Sequence, residues 1–240
     1  MLRKTPLIKG NWYHIYTRGV EKRKIFLDKK DYFRFVAMLY LANSSKNFHL
    51  SKLFQKFIGK KKKNQGESLM KKLFSIDRKS TIVSITAYCL MPNHFHLLIY
   101  EKEEGGISRF MSKLLTAYSM HFNKKYERSG PLFVRPFRSK HIDEDNYFRV
   151  LLSYIHLNPI SLINPNWKEE GIMNNDLNKN FLLNYQYSSY PEYMDMPRLE
   201  KSILSIDKNF KYFKTFKEFD DFLNNFLRRF NNNDFKDLIQ

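Results

Sequence analysis

Apolar and polar positions alternate along several short stretches of the chain and recur at helical spacing along longer ones. Residues 11–18, Asn-Trp-Tyr-His-Ile-Tyr-Thr-Arg, are aromatic and β-prone; they predict a first strand, which Gly19 ends. Phe33, Val36, Ala37, Tyr40 and Leu41 form the stripe of a helix reaching about Ala42, with Asp28 or Asp31 as its cap. Residues 81–90 and 94–101 predict two strands. A turn at Met91-Pro92-Asn93 joins them, because proline cannot donate in a central ladder. From Ile107 to about Lys125, Phe110, Leu114, Ala117, Tyr118 and Phe122 recur at helical spacing. Phe137-Arg-Ser-Lys-His-Ile142 alternates like a strand. Asp143 or Asp145 then caps a helix that runs to Asn158, where Pro159 biases it to stop.

The order is β-α-β-β-α-β followed by a helix. This predicts an α+β fold, a ferredoxin-like antiparallel sheet of the split β-α-β type, with an added helix behind it. Residues 1–165 form the main domain. An insertion at 43–80 interrupts it, with short amphipathic pieces near 50–58 and 68–75, the run Lys60-Lys-Lys-Lys63 and the polar Asn64-Gln-Gly-Glu67. A lysine run reads either as a solvated loop or as a contact for phosphates. Residues 166–240 form an extension that is partly helical. Within it Phe216, Phe219, Leu223, Phe226, Leu227 and Phe230 share one stripe of a helix over 215–230, a docking element.

The strand pair carries the first candidate chemistry. Side chains alternate faces along a strand, so His94 and His96 point to one side, close enough to chelate one metal ion. Phe95, Leu97 and Ile99 point to the other, into a core. The plainer reading of the same spacing is a pair of half-buried polar side chains. On the helix before Pro159, Tyr147, Leu151, Tyr154 and Asn158 fall on one face, with Phe148, Leu152 and Ile155 beside them and Arg149, Ser153 and His156 opposite. Tyr154 and Asn158 project together as an i, i+4 pair, a phenol beside an amide oxygen. Taken alone, the apolar face makes Tyr154 a core residue. His14 could approach the site, but reads first as a plain strand histidine; Tyr118 is the runner-up nucleophile, and its place on an apolar stripe argues for core.

Charge changes the picture. Lys and Arg number 42 against 24 Asp and Glu, a net charge of +18, which favours a polyanionic partner and most simply nucleic acid. Aromatic residues make up 16% and add stacking surfaces for unpaired bases. Arg135, Arg138, Lys124, Lys125 and Arg128 cluster around a glycine-containing loop and are candidate phosphate contacts. Cys89 is the one cysteine, which excludes an intrachain disulfide and a four-cysteine zinc site and fits a reducing cytoplasm. With no run of eighteen apolar residues, the expectation is that nothing spans a membrane. The start of the chain also lacks the apolar core of a signal peptide.

Two motifs together make the chain recognisable. Met91-Pro-Asn-His-Phe-His-Leu-Leu98 resembles the histidine–hydrophobic–histidine (HUH) motif of single-tyrosine DNA transposases. Tyr154-Ile-His-Leu-Asn-Pro159 resembles the tyrosine motif of their REP-associated branch. Tyr13-His-Ile-Tyr-Thr-Arg-Gly19, Gly130-Pro-Leu-Phe-Val-Arg135 and Tyr187-Ser-Ser-Tyr190 are similar too, and the motif order is the family's. The resemblance implies that residues 1–165 are a catalytic domain whose added helix carries the nucleophile, Tyr154. It implies a divalent metal, Mg²⁺ or Mn²⁺, held by His94 and His96 with Asn158 as third ligand. It implies cleavage and strand transfer of single-stranded or hairpin DNA through a covalent 5′-phosphotyrosine, by a monomer or a homodimer. Imidazole plus oxygen donors suit Mn²⁺ better than Mg²⁺. Two other readings keep the same fold: a non-catalytic nucleic-acid-binding module, and a nickase of the replication-initiator or relaxase type.

Overall fold

In a computed structural model of the chain, which describes residues 6–58, 66–167, 175–205, 213 and 215–229, four strands form one sheet. They are β1 (Trp12–Arg18), β2 (Ser84–Met91), β3 (His94–Tyr100) and β4 (Arg138–Ile142). Their order is β2-β3-β1-β4, and every neighbouring pair is antiparallel. Helix α1 (Lys29–Ala42) lies between β1 and β2 in the chain, and α4 (Gly106–Lys125) between β3 and β4. Each connection crosses over one intervening strand, which is the ferredoxin-like split β-α-β arrangement.

Local chemistry sets the boundaries. Asp28 caps α1: its side chain accepts from the Asp31 amide, and Asp31 returns the bond to Asp28. Met91 stays in β2, so the turn is only Pro92-Asn93. The Pro92 carbonyl accepts from the amides of Ile25 and Phe26, and the Asn93 carbonyl from that of Gly19. The turn between the strands is thereby tied to the end of β1. Helix α5 (Asp145–Leu157) starts after Glu144, whose side chain makes no capping bond. Asp145, read above as a possible cap, is instead inside the first turn, where its charge favours the helix dipole.

The sheet has two different faces. On one, Tyr13, Ile15, Phe95, Leu97 and Ile99 join Phe35 and Leu39 of α1 and Phe110, Leu114 and Tyr118 of α4 in a continuous apolar core. Phe35, outside the predicted stripe of α1, is fully buried and its ring lies 5.0 Å from that of Phe95. The stripe is too narrow because α1 is buried on more than one side: Phe35 meets the sheet and Tyr118 of α4, and the insertion lies against α1 through α2 (Leu50–Ile58) and α3 (Gly66–Phe74). Lys60–Lys63 and Asn64-Gln65 lie outside the described residues. The insertion is closed at its root: the Ser45 amide donates to the Ser80 carbonyl, and the buried Asn43 side chain bonds the backbone of Ile82 and Val83.

On the other face, α5 lies against β2, β3 and β4. Ala87, Cys89, Met91 and Leu98 of the sheet meet Phe148, Leu151, Leu152 and Ile155 of α5. The late chain completes this layer. Trp167, Leu182, Tyr190, Tyr193, Phe219, Leu223 and Phe226 share the same core. Of the stripe predicted over 215–230, Phe219, Leu223 and Phe226 are buried, and the helix there runs Phe216–Arg229. The side chains of Phe216, Leu227 and Phe230 lie outside the described residues. The side of α5 opposite the sheet is therefore buried too, against residues that sequence periodicity alone assigned to a separate extension.

Candidate active site

Pairing across the sheet decides which side chains become neighbours, because directly opposed residues share a face. His94 lies opposite Arg18 on β1 and Met91 on β2. His96 lies opposite Tyr16 and Cys89, and Tyr16 in turn opposite Arg138 of β4. The next row is Ala87, Leu98, His14 and Lys140. The α5 face is thus apolar toward β2 and polar where His94 and His96 meet β1 and β4. His94 is half-buried, and His96 is 7% exposed.

Each histidine is oriented by a bond at Nδ1. His94 Nδ1 is 2.7 Å from Asn93 Oδ1, and His96 Nδ1 is 2.8 Å from His14 Nε2. The two rings stand edge to face with centroids 5.0 Å apart. With Nδ1 engaged in both, Nε2 is the atom through which each ring would bind an ion, and a metal-binding histidine is commonly fixed in this way. His14 stacks on Tyr16 at 4.7 Å and on His96 at 5.0 Å. Burial, and then the charge of Lys140, push the His14 imidazole down to about 3, so it stays neutral and can hold its bond to His96. This residue, read above as a plain strand histidine, is in the cluster. Only the β1–β3 register shows it.

Tyr154 reaches the same place from α5. Its ring lies edge-on to His96 with centroids 5.6 Å apart, and the side chain is 7% exposed. The tyrosine helix therefore packs against the histidines of its own chain. Asn158 ends α5 one turn later, 4% exposed, where a 3₁₀ turn (Asn158–Leu162) begins against β2. Its backbone carbonyl accepts from the Ser161 hydroxyl. Tyr147 shares the helix face; burial, then Tyr16 and Asp143, push its phenol up to about 12. The Lys140 ammonium lies 4.7 Å from the centre of that ring. Among the described residues no group of three or more His, Cys, Asp and Glu could hold a metal.

The candidate phosphate contacts are not brought together. Arg138 is exposed and sits in the His96 row of the sheet. Arg135 is exposed on the loop leading to β4. Lys124 is exposed on α4, in the layer behind the opposite face. Lys125 is turned to the start of α1, where its ammonium bonds Asp28 and Asp31 at 2.7–2.9 Å. Arg128 bonds Asn123 Oδ1 and the Pro131 carbonyl, and so braces its own loop. Acidic and carbonyl partners supplied by folding engage both cations, which a count of basic residues cannot foresee. Tyr118 is fully buried on the core face and donates to the Ile25 carbonyl. His156 is fully buried on the side of α5 away from the sheet, and burial pushes it down to about 3.

Residues 55–158 match the family model described as "Transposase IS200 like". The span contains His94, His96 and Tyr154 and ends on Asn158. A solved structure described as the REP-associated tyrosine transposase bound to a REP hairpin is similar over 83% of this chain and 89% of that one, at 12% identity and a TM-score of 0.44. No curated protein matches the chain. Among the described residues no helix is long and apolar enough to cross a membrane.

Proposed function

We propose that this chain, whose residues 55–158 match the IS200-like transposase model, is a DNA strand-transfer enzyme with Tyr154 as its nucleophile. The observation that carries the reading is the contact of the Tyr154 ring with His96. It joins the two motifs at one point of an otherwise apolar layer.

In the reaction proposed, Tyr154 Oη loses its proton and attacks the phosphorus of a phosphodiester in single-stranded or hairpin DNA. The bond from phosphorus to the 3′ oxygen breaks, and that oxygen leaves as a 3′-hydroxyl once protonated. The 5′ phosphate stays on the tyrosine, so the energy of the broken bond is kept. A second DNA 3′-hydroxyl can then attack the phosphotyrosine, rejoin the strand and restore the phenol. Mg²⁺ or Mn²⁺ would be held through Nε2 of His94 and His96, with the Asn158 amide as a further donor, and would supply polarisation of the phosphate and neutralisation of developing charge. His14 and Asn93 fix the two imidazole rings. Arg138, in the His96 row, positions the strand by a phosphate contact, and Arg135 extends that contact along the loop.

The test is a denaturing gel with end-labelled single-stranded DNA and Mn²⁺. Wild type gives a retarded covalent adduct, and Tyr154→Phe gives none while binding DNA normally, since a phenyl ring has no nucleophilic oxygen. An adduct that persists in Tyr154→Phe overturns the assignment. Absence of any adduct from wild type favours the non-catalytic binding module.

A further inference from the structure

The side of α5 turned away from the histidines carries a second constellation. His156 lies two residues after Tyr154 and is fully buried. Its Nε2 is 2.8 Å from Ser189 Oγ. The same hydroxyl accepts from the backbone amide of Tyr88 at 2.9 Å. Tyr88 is the β2 neighbour of Cys89, and Cys89 is the residue paired with His96. One hydroxyl therefore ties the helix that carries Tyr154 to the strand beside the histidines.

The tie is built into a docked segment. Residues 187–189 run along the free edge of β2: the Leu90 amide donates to the Tyr187 carbonyl, the Ser189 amide to the Tyr88 carbonyl, and Ser188 bridges to Cys89. The edge of the sheet is thereby covered, and its backbone groups are satisfied. Around the imidazole stand the rings of Tyr193 at 4.6 Å, Phe219 at 5.4 Å and Tyr190 at 6.1 Å. An apolar residue would fill this cage as well. A histidine hydrogen-bonded to a strand-anchored serine adds a fixed direction, because an unmade bond at a buried polar atom is costly.

We infer that His156 and Ser189 are positioning residues, which set the height and rotation of α5 so that the Tyr154 hydroxyl is presented to the histidine pair. The inference rests on Tyr154 being the nucleophile. It gives the Tyr187-Ser-Ser-Tyr190 segment a purpose in catalysis without contact with DNA: it clamps the tyrosine helix onto the histidines of its own chain. Catalytic geometry is sensitive to small displacements of this kind.

The experiment compares wild type with Ser189→Ala, His156→Phe and His156→Gln in the full chain. The phenyl ring keeps the cage filled and loses the bond, and glutamine keeps a hydrogen-bonding end. Adduct formation at saturating DNA and Mn²⁺ should slow about tenfold or more in Ser189→Ala and His156→Phe and recover in part in His156→Gln. Mn²⁺ affinity and DNA affinity should stay at the wild-type level in all three, which a general loss of fold would not allow. Fluorotyrosine placed at position 154 gives a readout that needs no cleavage. Its ¹⁹F resonance should shift or broaden in Ser189→Ala and His156→Phe. Unchanged rates with an unmoved resonance overturn the inference. A wild-type protein that forms no adduct defeats the reaction proposed above, and the fluorine signal then decides the positioning by itself.

Discussion

The two faces of the sheet are built from alternate residues of the same strands, yet they do different work. Behind β3, Phe95, Leu97 and Ile99 enter a core that α1 and α4 close completely. In front, Leu98 enters a core under α5, while His94 and His96, on the same side, meet Arg18, Tyr16 and Arg138. A strand that is apolar on both faces for part of its length and polar on one for the rest marks where a layer stops and a site begins. The rear face fixes the strand. The front face can then hold polar groups at a spacing that the rear face has already set.

Four changes would break or sharpen this contrast. Phe95→Ala removes a fully buried ring from the rear face and should cost about 3–5 kcal/mol of stability, measured by denaturant unfolding. Folded molecules that remain should still bind Mn²⁺ through His94 and His96; a metal affinity that collapses at temperatures where the variant is folded would mean that the faces are not separable. His14→Phe keeps the stack on Tyr16 and removes the bond to His96. It should weaken Mn²⁺ binding by about 10–100-fold in a calorimetric titration with little change in unfolding midpoint, and an unaltered affinity would show that His96 needs no help from β1.

The third change tests the seam that closes the front face. Glu192 is fully buried, and burial raises its carboxyl to about 7 against the pull of Arg198. A carboxyl raised in the folded state stabilises fully below its unfolded value near 4.5, and this contribution is lost as pH rises through about 7. Wild type should lose stability between about pH 4.5 and pH 7 and level off above that, measured by denaturant unfolding, and Glu192→Gln should flatten the decline. Equal slopes in the two proteins would remove Glu192 from the account. The smallest effect belongs to Arg138→Ala. It should lower the slope of log affinity for DNA against log salt by about one unit, the signature of one phosphate contact. An unchanged slope would place the strand elsewhere.

The local parts of this molecule were legible before folding. Period-two alternation put His94 and His96 on one side of β3 and Phe95 and Leu97 on the other. Helical spacing set Tyr154 and Asn158 on one face of α5. Glycine, proline and acidic residues marked most of the ends, and the order of elements gave the sheet. These are properties of neighbours in sequence, and backbone geometry converts them directly into direction. What lay beyond reach depended on distant residues. His14 joins His96 across 82 positions, through a register that no single strand encodes. Lys125 carried the same charge in the sequence as Arg138, and only its carboxylate partners Asp28 and Asp31, 97 and 94 positions away, set it apart. The stripe of the extension read as a docking element, but an apolar stripe does not say which surface it covers. The tertiary structure decided that it covers α5, since hydrophobic burial is non-directional and takes the partner that topology brings within reach.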